Sequence, residues 1–503
     1  MTSKSTPTPK KLSKPSGSVW KGRDYQLKAV KFLYERRVGG LFLDPGLGKT
    51  SITLAAISKL KANGELEGKR IIIVAPLRVC YSVWPKEIQK WSNFSHLSAV
   101  VLHGKDKEKL LWEDHDIYLI NPEGLEWLFG IHKVRSEITG KVAVIHDSQR
   151  VKKLKLGMLV VDESDKFKHP NSIRFKIIRP LLPLFGWRWI LTGTPTANGL
   201  MDLFGQVYLM DLGRSLGAYI THFRRNFFDS TGFGGYTYIP KFDAAERIQK
   251  LLKPLVLRME ARDYLKDLPV PVPNYLYVEL PPKAKKAYLD MEKKLITVLS
   301  ESRVTAESVA VSYNKCRQLA NGAIYKDAEE RKAARFKQET WIEIHDEKIQ
   351  ALRELHAEIN GAPLLVAYDF EHDLERLRKA FPKAVCAADY SAKAFAEVEE
   401  RWNAGEIPML LGHPQSLGHG MNLQGACQHV AWYAGTFNLA LYKQFNERVL
   451  RDGNKHAQVF IHHILAAGTI DEVMFLDVES KALDQESFLE ALKRYAKTKP
   501  KIF

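Results

Sequence analysis

The chain holds 503 residues, too many for a single hydrophobic core, which predicts two to four domains. Its 45% hydrophobic and 26% charged residues are ordinary for a globular protein, and no apolar run reaches the roughly 18 residues of a membrane helix, so a membrane partner is not expected. Seventy-five Lys and Arg against 58 Asp and Glu leave +17, which points to a polyanion, most simply nucleic acid, with general surface basicity as the competing account.

Residues 1–19 form a Ser/Thr/Pro/Lys tail without an acid or an apolar core, expected to be disordered; the lack of a leader pattern and four scattered cysteines without CxxC spacing predict a reducing, cytoplasmic setting. Arg23-Asp24-Tyr25-Gln26 opens a helical pattern, where Gln26 is suited to read an adenine edge with Arg23 or Tyr25 stacking on the base. Leu41-Phe-Leu43 reads as a strand end, Pro45-Gly46-Leu47-Gly48 as a tight loop and Lys49-Thr50-Ser51 as the first turn of a helix. That is a phosphate cradle: the glycines admit backbone N–H groups to an anion, Lys49 reaches the β- and γ-phosphates and Thr50 holds Mg²⁺. A glycine-rich structural turn is the alternative.

Arg70 to Pro76 is a continuous apolar strand, and Leu77 to Trp91 is expected as one helix with Trp84, Ile88 and Trp91 on one face. Short strands follow at 100–102 and 117–120, so the alternation predicts an α/β doubly wound parallel sheet with ligand loops at the strand C-termini. Met158-Leu-Val-Val161 delivers Asp162 and Glu163 to a strand end, where Asp162 would hold Mg²⁺ and Glu163 would orient or deprotonate water; a helix-capping pair is the alternative. Trp189 to Leu191 is another buried strand, ending in Thr192-Gly193-Thr194-Pro195, whose hydroxyls are placed to couple nucleotide state to a neighbouring lobe.

Together, Asp44-Pro-Gly-Leu-Gly-Lys-Thr50, Asp162-Glu163 and Leu191-Thr-Gly-Thr-Pro195 resemble the first lobe of a superfamily-two DEAD/DEAH-box-type helicase, and the SWI/SNF-like group in particular. Arg23, Tyr25 and Gln26 match that group's adenine-side motif. The acidic box departs from the usual Ala-His or Ala-Asp continuation with Ser164-Asp165, and the resemblance implies that Asp165 contacts the Thr-Gly-Thr element. Leu257 to Pro269 resembles the segment joining the family's lobes, and Pro269, Pro271 and Pro273 predict a stiff extended linker. Gly418-His-Gly420-Met-Asn422-Leu423 resembles the fifth motif, with His413, Pro414 and Leu417 departing from pattern. Gln444-x-x-x-Arg448-x-x-Arg451-x-Gly453 matches the final motif except at Asn454; its i, i+4, i+7 spacing predicts one helix face carrying an arginine finger, an element worth roughly 10³ to 10⁵ in rate.

The resemblance implies two RecA-like lobes with ATP and Mg²⁺ bound between them. The expected divisions are a lobe over 20–256, a linker over 257–274, a helical insertion over 275–355, a second lobe over 356–467 and brace helices over 468–503. Catalysis is assigned to Lys49, Asp162, Glu163, Gln444, Arg448 and Arg451, and metal binding to Thr50 and Asp162. Nucleotide contact falls to Arg23, Tyr25, Gln26, Pro45, Gly46, Leu47, Gly48, Lys49, Thr50, Ser51 and Gly420. Coupling or nucleic-acid contact falls to Arg78, Asp165, Thr192, Gly193, Thr194 and Asn422. The implied activity is that of a monomeric, ATP-dependent double-stranded DNA translocase, a compact viral or bacterial motor serving replication or recombination partners. A strand-separating DNA or RNA helicase and a non-catalytic nucleic-acid-binding protein are the alternatives.

Overall fold

The computed structural model describes residues 18–135, 142–196, 199–231, 237–265, 268–300, 306–333, 336–417, 421–436 and 438–472. Seven strands form the first sheet: β1 (Val38–Leu43), β2 (Arg70–Val74), β3 (Ala99–Val101), β4 (Ile117–Ile120), β5 (Leu156–Asp162), β6 (Trp187–Thr192) and β7 (Val256–Met259). Their order is β7-β1-β6-β5-β2-β4-β3, and every neighbouring pair is parallel. The second sheet holds β8 (Val270–Val278), β9 (Leu364–Ala367), β10 (Val385–Cys386), β11 (Met409–Gly412), β12 (His429–Trp432) and β13 (Gln458–Ala466). Its order, β8-β13-β12-β9-β11-β10, is again parallel throughout. These are the two expected RecA-like lobes.

The central strands are mostly apolar along both faces because both sheet faces are covered. Ile72, Val74, Leu159 and Val161 enter one core, while Ile71, Ile73, Met158 and Val160 enter the core on the opposite face. In the second sheet Leu365, Ala367 and Leu410 face one core and Leu364, Val366 and Leu411 the other. Parallel strands end on one edge, so the loops after β1, β5 and β6, which are adjacent or one strand apart, open side by side. No described helix is long and apolar enough to cross a membrane.

Several expected boundaries change. The helix predicted over 77–91 is two helices, Leu77–Ser82 and Trp84–Lys90, because Pro85 withholds the N–H that would continue the first. The segment expected as a linker over 257–274 is sheet at both ends: 257–259 belong to β7 and 270–274 to β8. Pro271 and Pro273 fit there because β8 is an edge strand; Val270 N–H bonds Ala457 O, and the alternate positions point out of the ladder, where a missing donor costs nothing. The connection that remains carries a short helix, Ala261–Tyr264. The helices Pro282–Ser300 and Ala306–Asn321, expected as an insertion, bury Tyr288, Leu295, Tyr313 and Cys316 in the same core as Leu365 and Val430, and so form a covering layer of the second sheet. The tail before residue 18, Gly420 and the brace helices beyond residue 472 lie outside the described residues.

Candidate nucleotide site between the lobes

Residues of both sheets line one cavity of about 450 Å³: Arg23, Gln26, Gly48, Lys49, Thr50, Asp162 and Glu163 from the first, Asn422, Arg448, Arg451 and Asp452 from the second. On the first side, Gly46 and Gly48 take positive φ of 88° and 83°, and Gly48 caps the helix Lys49–Ala62. The left-handed φ at Gly48 favours glycine, and a β-carbon there would lie 2.6 Å from Gln26 Nε2 and displace that side chain from the loop. Gln26 Nε2 donates to Leu47 O at 3.2 Å, and its Oε1 accepts from Arg23 N–H at 3.0 Å. Leu47 itself is buried, so its contribution is backbone. Ser51 Oγ donates to Gly48 O at 3.1 Å, and Lys49 Nζ donates to Leu43 O at 2.7 Å. Gly193 packs on the same loop, where an added β-carbon would sit 3.1 Å from Pro45 Cδ.

Asp162 is buried at the end of β5, where Trp84 Nε1 donates to its Oδ2 at 3.0 Å and Glu163 N–H to its Oδ1 at 3.1 Å. Glu163 adopts the left-handed region, φ 55°, a strained conformation for a residue with a β-carbon that turns the chain sharply out of the strand. Burial, then the neighbouring Glu163 charge, raises the Asp162 pKa, while Lys49 opposes the shift. Two crowded carboxylates beside a threonine hydroxyl and a phosphate-type loop are a donor set that fits a nucleotide with a divalent cation. Thr50 and Asp162 would hold that cation, which when bound neutralises charge developing on phosphate oxygens.

On the second side the structure corrects the helix-face prediction. The helix Leu439–Asn446 ends before the arginines, which sit in the turn beyond it. Arg448 Nε donates to Gln444 O at 3.1 Å. Arg451 Nε donates to Glu447 O at 2.7 Å and its Nη1 to Asn422 Oδ1, also at 2.7 Å. Asn422 therefore holds Arg451 at the cavity wall. Burial lowers the pKa of both guanidiniums, opposed by Glu163, Glu447 and Glu399. Gln444 lies off the cavity, its Nε2 donating to Thr194 Oγ1 of the first lobe at 3.2 Å. Arg78 also bridges the lobes, donating to Ala387 O at 3.0 Å and lying 4.8 Å from the Phe395 ring.

The Thr-Gly-Thr element is tied to the acidic box by a residue that sequence reasoning did not single out. Buried Ser164 donates to Gln206 Oε1 at 2.7 Å, and Gln206 Nε2 donates to Pro195 O at 2.7 Å and Asp202 O at 2.9 Å. Thr194 N–H bonds Thr192 Oγ1 at 3.1 Å. Polar contacts thus run from the acidic box through Ser164 and Gln206 to Pro195 O, and the adjoining Thr194 meets Gln444, whose carbonyl accepts from Arg448. Asp165, expected to make this link, instead lines the gap beside Lys166, Lys168 and Gln444, its Oδ1 buried and without a partner among the described residues. Ser164 supplies the hydroxyl that the usual alanine lacks.

A family model described as the SNF2-related domain matches residues 25–325. The chain belongs to the SNF2-related family. It is similar to protein p41 of Acyrthosiphon pisum secondary endosymbiont phage 1, at 34% identity over 94% of this chain and 98% of that one, which places it beside a compact phage member. It is also similar to chromodomain-helicase-DNA-binding protein 8 of Danio rerio, at 24% identity over 62% of this chain, although the match spans 12% of that larger protein. Among solved structures, the Sulfolobus solfataricus SWI2/SNF2 ATPase core in complex with dsDNA aligns over 97% of both chains at 21% identity and a TM-score of 0.43. As a member of the SNF2-related family, the protein uses ATP. Trp84 and Gln206 had no legible signal beyond an apolar helix face and a buried helical position.

Proposed function

We propose that the protein is an ATP-driven motor that moves along or remodels double-stranded DNA, with hydrolysis stimulated by the nucleic acid. The observation that carries this reading is the convergence of a phosphate loop and an acidic pair from one lobe with two arginines from the other on a single cavity. Lys49 binds the β- and γ-phosphates, Thr50 and Asp162 hold the divalent cation, Glu163 positions the attacking water and accepts its proton, and Arg448 and Arg451 stabilise charge on the transferred phosphoryl group. Neither lobe alone holds all these groups, so hydrolysis requires closure and product release permits reopening. The net charge of +17 supports a polyanionic track, and a site complete within one chain supports a monomeric motor. Opening and closing against a bound phosphate backbone converts the chemical cycle into movement.

The test is the ATPase rate with double-stranded DNA, single-stranded DNA and RNA at two salt concentrations, beside triplex displacement and duplex unwinding. Strongest stimulation by duplex DNA with triplex displacement is expected, and Lys49→Ala should abolish hydrolysis while retaining DNA binding. Unwinding without triplex displacement would make the protein a strand-separating helicase. Hydrolysis unaffected by Lys49→Ala would remove the catalytic assignment.

A further inference from the structure

The Arg23 to Gln26 segment is tied to the second lobe in a way the motifs do not prescribe. Arg23 stands at the base side of the cavity, with its backbone N–H spent on Gln26 and its guanidinium directed across the cleft. Its Nη2 donates to Asp452 Oδ2 at 2.6 Å, an ion pair joining residues 429 apart. Asp452 occupies the unspecified position of the final motif, directly after Arg451. Arg451 Cγ in turn lies 4.0 Å from where a β-carbon on Gly46 would be, against the phosphate loop. Consecutive residues of one turn therefore touch both ends of the cavity, and a motion of that turn that withdraws Arg451 from the phosphate loop withdraws Asp452 from Arg23.

We propose that Asp452 is a positioning residue for adenine recognition: it fixes the Arg23 guanidinium at the base-side wall only when the arginines of the second lobe are in place. This rests on the ATPase reading above and deepens it. A planar guanidinium held at one edge presents its face and remaining donors in one orientation, whereas a free arginine samples many. Binding of the correct base thus favours the closed arrangement, and a nucleotide with an ill-fitting base engages the phosphate loop without that contribution. The base-side motif is braced from behind as well, since the Tyr25 ring packs 4.9 Å from that of Tyr264 in the connection between lobes.

The experiment measures DNA-stimulated steady-state hydrolysis of ATP and GTP by the full chain. The ion pair is half-exposed, with side chains 50% and 39% accessible, so a change of about three- to fivefold is expected. Asp452→Asn should raise KM for ATP by that factor, leave kcat for ATP and KM for GTP unchanged, and so narrow the preference for ATP; Asp452→Glu should recover it. On an Arg23→Ala background the same substitution should add nothing. An unchanged KM for ATP, or an equal fall in kcat with both nucleotides, would overturn the proposal, the latter making Asp452 a mere support for Arg451. Absence of hydrolysis in the unaltered protein would instead defeat the ATPase reading on which it stands.

Discussion

In the first lobe the nucleotide groups follow directly from strand ends, and their partners are mostly close in the chain: Ser51 bonds Gly48, Lys49 bonds Leu43 and Glu163 N–H bonds Asp162. In the second lobe the arginines lie past a helix end, held by the carbonyls of Gln444, Glu447 and Met421 and by the Asn422 side chain. The cradle keeps its shape by local backbone geometry, whereas the arginines are buried cations whose counter-charges include Glu163 from the opposite lobe. Separating the lobes therefore leaves the cradle intact and exposes charge on both walls, so the half-sites should fail differently when broken.

The largest difference is expected from Arg451→Ala. Removing the cation proposed to act in the transition state should lower DNA-stimulated kcat by about 10³-fold or more, with nucleotide affinity retained because the proposed phosphate-binding groups of the first lobe are untouched. Comparing ADP affinity by calorimetry with the steady-state rate measures the split. Equal losses in both would mean that the two half-sites are not separable.

Glu399 sharpens the electrostatic side of the comparison. Its side chain is buried on the helix Phe395–Asn403, and burial pushes its pKa up to about 7, opposed by Lys86, Asn422 and Arg451. The folded form thus binds the proton more tightly than the unfolded chain. Ionisation opposes folding fully above about pH 7 and ceases to do so below the ordinary carboxylate range. Glu399→Gln should stabilise the nucleotide-free protein at pH 8 by up to about 3 kcal/mol, the gain vanishing near pH 4.5. Denaturant midpoints at pH 8 and pH 5 measure it. Destabilisation at pH 8 would show instead that Glu399 is a net favourable counter-charge for the arginines.

Much of the first half-site was legible because its chemistry sits in contiguous loops: Gly46, Gly48, Lys49 and Thr50 declare their backbone and charge roles within a few residues, and β5 announces its carboxylates by four apolar neighbours. The acidic box's partners were not legible, since Trp84 reaches Asp162 across 78 residues and Ser164 reaches Gln206 across 42. Only the folded sheet brings those pairs together. In the second lobe, periodicity carried the helix too far, because i, i+4, i+7 spacing marks a shared face without saying where the helix ends. The same limit applies to Pro271 and Pro273, which read as linker until an edge strand gives their missing donors a place to point.

The smallest expected effect probes the chain joining the half-sites. Ser164→Ala would leave Gln206 Oε1 without its described donor in a fully buried position, costing about 1–3 kcal/mol. Gln206→Leu would strand the Ser164 hydroxyl and release Pro195 O, at a similar cost. The double substitution makes both sides apolar and should recover part of the stability, so the melting temperature should exceed the additive value. If the chain only packs the lobe, DNA-stimulated kcat should recover along with stability. If it carries nucleotide state from the acidic box to Thr194 and onward to Gln444, kcat should stay reduced in the double variant while the melting temperature rises. Strict additivity of the two substitutions in both measurements would show that Ser164 and Gln206 act separately, and the link between the half-sites would then rest on the contacts that cross the cleft directly, Arg23 with Asp452 and Gln444 with Thr194 among them.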